Sequence, residues 1–256
     1  MNFTVARQML AAEVLKLRRN RGLMALAAVV SLGVVVLFFG YTAIRHASNP
    51  SAYGPAGGIV DFGRAVRLLG LFFGSLTAIL IGAEAGAADI SSGVFRDLVA
   101  TGRSRLALFG VRVPAAIAVT LAFTLPAYAL TVAASFAFAG GNPDPSVTLI
   151  LQSLAWVVLA DAVIAALAVG VGSLTGSRPI TLTAIIGWQA IATSLLISAT
   201  SLGSVRDALL TPALGQLMPV PGEALRYATG TAVVVITCWV LAPAALGAWR
   251  SRTQDA

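Results

Sequence analysis

Hydrophobic residues in this chain come in long unbroken windows, without the two- or four-residue rhythm of a half-buried strand or a surface helix. Six windows stand out, at about 23–44, 68–88, 107–138, 148–174, 180–200 and 231–248. Each is near or above the ~20 apolar residues with which an α-helix crosses a hydrocarbon core. The pattern predicts an all-α polytopic membrane protein, a single domain over 1–256 with six transmembrane helices. At ~1.5 Å per residue the third window exceeds the ~30 Å core, so it tilts, kinks or protrudes. Pro114 and Pro126 mark two places for a kink.

The polar connectors have patterns of their own. In "FTVARQMLAAEVLKLRRNR", residues 3–21, Phe3, Ala6, Leu10, Val14 and Leu17 share a helical stripe, with Arg7, Lys16, Arg18 and Arg19 largely off it. This predicts an amphipathic helix lying in the membrane interface. Glu13 and Lys16 are placed to pair on its wet face. "RHASNPSAYGPAGGIVDFGR" and "GGNPDP" read as loops, whereas an apolar run from Leu209 is broken by Pro212, Pro219 and Pro221. That run is too short to cross as a helix, so a re-entrant or interfacial hairpin is expected at about 207–223, before the last span.

Charge fixes a direction. Charged residues are 11% of the chain, where a soluble domain carries about a quarter, and the mean hydropathy is +0.89. The net charge of +7 does not gather on a polar domain; the bases flank apolar windows, where they control topology, and no nucleic-acid partner is expected. With the N-terminus inside, twelve Lys and Arg face inward, against five outward: Arg45, Arg64, Arg67, Arg206 and Arg226. Both termini are therefore expected in the cytoplasm, with residues 89–105 on the same side. The first window follows a basic segment but is longer than a signal core and lacks a small-x-small cleavage site, so a retained anchor is expected.

Several chemistries are excluded. The single Lys follows Leu15, so no G-x-x-x-x-G-K-[ST] phosphate loop exists in this chain. One His rules out a multi-His metal site. "GSLTG" at 172–176 superficially suggests a nucleophile turn, but His46, the base it needs, falls in an outer loop. Cys238 forms no internal disulfide and reads as a small packing residue. No enzyme, metal or cofactor is expected of this chain.

The densest charge between windows lies in "GAEAGAADISSGVFRDLVATGRSRLALFG", residues 82–110. Ile90, Val94 and Leu98, with Phe95 and Val99, mark one face of a short helix, which Ser91 or Ser92 would cap and Gly102 would end. A plain turn carrying topogenic Arg accounts for these residues, as does a knob that presents Phe95 and its flanking Arg to a partner's cleft. The spacing E-x-x-x-x-D-x-x-x-G-x-x-R-x-L-x-x-x-G-x-x-R, here Glu84, Asp89, Gly93, Arg96, Leu98, Gly102 and Arg105, resembles the first cytoplasmic loop of the ABC-2 family of type-2 ABC exporter permeases. The resemblance extends to the order of interfacial helix with its basic end (Glu13, Lys16, Arg18, Arg19), six spans, and re-entrant segment. Where that family often has Lys near the third span, this chain has Arg103, Arg105 and Arg112.

The resemblance implies that Asp89, Gly93, Phe95, Arg96, Leu98, Arg103 and Arg105 form a coupling helix docking on a separate ATPase subunit, which binds the ATP and Mg. It also implies a second permease copy or a paralogue completing a dimer in the bacterial plasma membrane, and export of a drug, peptide or lipid-like molecule. Rival expectations are a stand-alone proton-coupled transporter using Asp161, and a membrane immunity or scaffold protein.

Inside the windows, Asp161 is costly unless it faces protein or water, and Gln189 at similar depth is its expected partner. Asp161 is read as lining a substrate path or as clamping helices. Glu84 is expected to pair with Arg96 or the N-terminal helix, and Arg112 to snorkel to the inner interface. Gly70, Gly74, Gly82 and Gly86 give small-x-x-x-small spacings suited to close helix packing.

Overall fold

The computed structural model describes residues 3–100, 102, 104–219 and 227–253, and the backbone alone of Phe3, Arg96 and Thr200. These residues form helices and turns, with no strand among them. Helix α1 (Phe3–Arg19) precedes α2 (Arg21–Ser48) and α3 (Gly58–Ser91). A short α4 (Val94–Ala100) leads into α5 (Arg105–Ala137), α6 (Val147–Thr175) and α7 (Arg178–Ser198). A second short helix, α8 (Leu210–Gln216), precedes α9 (Thr229–Thr253). Among them, α2, α3, α5, α6, α7 and α9 are long and apolar enough to cross a membrane, which makes this a multi-pass membrane protein.

Local chemistry sets the helix ends. Asn20 caps α2 by accepting from the Leu23 amide, and Ser104 and Ser146 cap α5 and α6 by accepting from Ala107 and Leu149. Gly176, with φ of 64°, closes α6. α3 starts at Gly58, ten residues before the window read from hydropathy, so Asp61, Arg64 and Arg67 lie on a helix and not in a loop. Its first turns bury only one face, with Phe62, Ala65 and Val66 inside and Val60 and Arg64 outside. They are anchored by the Ile59 amide, which donates to the Pro143 carbonyl at 2.7 Å. Window hydropathy averages such an amphipathic start away.

α3 and α6 form the buried centre, each 67% buried over its most apolar stretch, against 28% for α2 and 17% each for α7 and α9. They run parallel at close range because Gly70, Gly74, Gly82 and Gly86 have no side chains. A Cβ at Gly70 would overlap the Trp156 ring, and one at Gly86 would lie 2.6 Å from the Val169 carbonyl oxygen. The packing role expected for this stripe is what the geometry gives. α5 continues unbroken through Pro114 and Pro126. π-turns interrupt three spans, at Val29–Gly33, Leu69–Phe73 and Gly187–Ala192. The Ser75 hydroxyl, just past the second of them, donates to the carbonyl of Gly70 inside it.

The part of the expected hairpin that lies in the described residues is a 3₁₀ stretch (Thr200–Ala208) and α8. The Trp156 indole donates to the Leu214 carbonyl at 2.8 Å, and that of Trp239 to Ala208 at 2.9 Å, so α8 packs among the spans. Residues 220–223 of that expectation lie outside the described residues. Cys238 is exposed on the bundle surface, which corrects its reading as a packing residue.

Candidate functional site

Alternate span ends gather into two groups, and most of the charge lies at one of them. There the chain leaves α3 through Ser92, whose amide and hydroxyl both bond the Ala88 carbonyl. Ser91 and Ser92 thus close α3; they do not cap the helix after it. Gly93 at φ of 75° turns the chain and Gly102 at 78° turns it back, leaving the seven-residue α4 between them. The helix expected over the whole of 90–99 is therefore split: Asp89 and Ile90 belong to the last turn of α3.

That split places Asp89 inside the protein. It is 4% exposed, and its Oδ2 accepts from Lys16 Nζ at 2.8 Å and Arg112 Nη2 at 3.0 Å. Arg112 has no exposed surface; it also donates to the Gly86 carbonyl at 3.3 Å and stacks over the Phe95 ring at 5.4 Å. Arg112 does not snorkel, because its anion is inside. Phe95, 6% exposed, is the plug that seats α4 on that guanidinium and is not offered outward. Glu13 pairs with Lys16 as expected, but on the buried side of α1. The result is a line of alternating charge, Glu13–Lys16–Asp89–Arg112, through α1, α3 and α5.

A second pair lies beside it. Glu84 Oε2 meets Arg178 Nη1 at 3.1 Å, and its Oε1 accepts from Asn20 Nδ2 at 3.1 Å. Its partners among the described residues are therefore the first residue of α7 and the cap of α2, not a basic residue of α1; the Arg96 side chain expected as a partner lies outside the described residues. Arg105 donates to the Arg252 carbonyl at 3.0 Å, tying α5 to the end of α9. Arg18, Arg19 and Asp97 face outward, and Leu98 is half-buried. The side chains of Arg96 and Arg103 lie outside the described residues. At this end α2 and α7 are thus tied to α3 through Glu84, α9 to α5 through Arg105, and α6 to α3 through the Ser173 hydroxyl, which donates to the Gly86 carbonyl at 3.3 Å. Among the described residues no group of three His, Cys, Asp or Glu side chains is placed to hold a metal.

Within the spans, Gln189 is not the partner of Asp161, whose carboxylate oxygens have no hydrogen-bond partner among the described residues. Asp161 is fully buried between α6, α5 and α3. Gln189, on the π-turn of α7, lines two apolar hollows of about 290 and 240 Å³. Leu71, Phe72 and Leu76 wall the first and Trp188, Trp239 and Pro243 the second, with Thr211 common to both. At the opposite end from α4, a more polar hollow of about 380 Å³ is lined by Arg45, Tyr53, Asp61, Arg64 and Asn142. Sequence reading missed that hollow because its residues lie in three separate segments.

No family model matches the chain, and no curated protein or solved structure matches it either.

Proposed function

We propose that this chain is the membrane-spanning permease subunit of an ATP-driven exporter of the ABC-2 type, powered by a separate ATPase subunit. The observation that carries the reading is the mounting of α4: a short helix between two positive-φ glycines, with Asp97 exposed, keyed by Phe95 onto the Arg112–Asp89–Lys16 line. A push on α4 is delivered at once to α1, α3 and α5, because a buried ion line resists being pulled apart. The chain has no phosphate loop of its own, so ATP and Mg belong to the partner. Spans α2, α7 and α9, mostly uncovered, leave room for a second copy or a paralogue. The apolar hollows around Gln189 suit a hydrophobic or amphipathic cargo. α4 and both termini then face the cytoplasm of a bacterial plasma membrane.

Asp161, buried with no hydrogen bond made to its carboxylate among the described residues, supports a second reading as a proton-coupled transporter acting alone. Co-purification separates the two. On the first reading the solubilised protein brings down an ATPase subunit, and charge reversal at Arg96 and Arg105 abolishes this while leaving the chain folded. Substrate movement by the purified chain alone, driven by a proton gradient without ATP, would overturn it.

A further inference from the structure

Asp161 sits at the middle of the 29-residue α6 and has no exposed surface. Neither of its carboxylate oxygens has a hydrogen-bond donor among the described residues. It lies flat on Gly74 of α3, where an added Cβ would fall 2.8 Å from Oδ1 and 3.4 Å from Oδ2. On α5 the Thr124 hydroxyl stands beside it and leans 3.4 Å toward the Thr120 carbonyl. One turn away on the same face, the Thr120 hydroxyl is itself fully buried without a partner. An uncompensated carboxylate in such surroundings is not tolerated as an isolated ion.

The charges of the helices around it are all remote. On α3 they are Asp61, Arg64, Arg67, Glu84 and Asp89: Arg67 is seven residues from Gly74, Asp61 and Arg64 lie further off and pair with each other, and Glu84 and Asp89 are paired elsewhere. On α5 they are Arg105 and Arg112, the latter eight residues from Thr120 and held by Asp89. Packed α9 carries only Arg250 and Arg252 at its far end, and α7 only Arg178, which pairs with Glu84. At ~1.5 Å per residue even Arg67 begins about 10 Å along the helix. Among the described residues no cation answers Asp161.

We propose that Asp161, Thr120 and Thr124 form an intramembrane site for one small hard cation, a proton or a sodium-sized ion, that fastens α3, α5 and α6 together. The donors are oxygens alone, which suits these cations and not a transition metal. A proton on Asp161 is donated to a threonine hydroxyl; a sodium ion is instead shared among the carboxylate and both hydroxyls. Loss of the cation leaves a bare carboxylate that draws water between the three helices, so the packed state depends on its occupancy. The site rests on the membrane-spanning fold and not on which motor drives transport.

The test uses the full chain in lipid nanodiscs, by infrared spectroscopy in choline buffer and by thermal unfolding with sodium or choline. On the proton arm, a protonated-carboxyl band is present in the wild type and absent in Asp161→Asn. The same band shifts in Thr124→Val or Thr120→Val, which keep the carboxyl in place should Asp161→Asn fail to assemble. On the sodium arm that band is missing, and sodium raises the unfolding midpoint of the wild type but not of the threonine variants. An ionised Asp161 whose protein melts alike in sodium and choline overturns the proposal, and does so without touching the question of an ATPase partner.

Discussion

A guanidinium with no exposed surface must be answered by an anion, and Arg112 is answered by Asp89. Removing one member of a buried pair strands the other, at a cost of about 3–5 kcal/mol. Asp89→Asn is therefore expected to lower the unfolding midpoint strongly in nanodiscs, with Arg112→Gln doing the same. The double variant recovers part of the loss, since it leaves neither charge alone. Lys16→Gln is expected to cost less than either, because the lysine side chain is 34% exposed and Asp89 keeps Arg112. Wild-type melting of Asp89→Asn would remove the ion line as a structural element. At this scale the sequence displayed the charges but not their partners. Lys16 and Asp89 are 73 residues apart, and Arg112 lies close enough to a window edge to be read as snorkelling. Pairing between helices leaves no spacing signal of the kind that revealed Glu13 and Lys16 three residues apart.

The helices themselves were legible where hydrophobicity alone decides them, because a span must bury or bathe every face in apolar surroundings. They were illegible where backbone conformation decides. Ile90, Val94 and Leu98 have perfect helical spacing, yet Gly93 at φ of 75° breaks the helix between the first two. The first turns of α3 escaped notice for a different reason, being amphipathic and anchored by the Pro143 carbonyl, far along the chain. The glycine stripe, by contrast, was readable from its spacing and gives a sharp expectation. In Gly82→Ala the new methyl meets Ala168 Cβ at 2.6 Å and the Ala165 carbonyl oxygen at 2.8 Å, so α3 and α6 must part. A loss of about 1–3 kcal/mol is expected. Gly110→Ala in α5 meets nothing within 4 Å and should be neutral or stabilising by up to about 1 kcal/mol. Comparing the two melting midpoints checks whether close approach, and not helix propensity, is what these positions provide.

At the scale of the whole molecule, packing and charge select the same partition. The ion line, the Glu84–Arg178 pair and the Arg105–Arg252 contact bring one set of span ends together. Asn142, bonding the Pro55 and Gly57 carbonyls, brings together two connectors of the other set. The first set carries Arg7, Arg18, Arg19, Arg250 and Arg252; the second carries Arg45, Arg64 and Arg206. Basic residues are retained on the cytoplasmic side during insertion, so the first set should face inward. With Cys238 replaced by Ser, a single cysteine at exposed Ser92 is expected to react with a membrane-impermeant maleimide only after the cells are opened. Cysteines at exposed Ser51 or Ser204 should react in intact cells. The reverse pattern would leave the helix packing untouched and place α4 outside, where no ATP-driven subunit can reach it. The labelling thus tests the coupling reading alone: the same bundle, inverted, has its ion line intact and nothing to push against it.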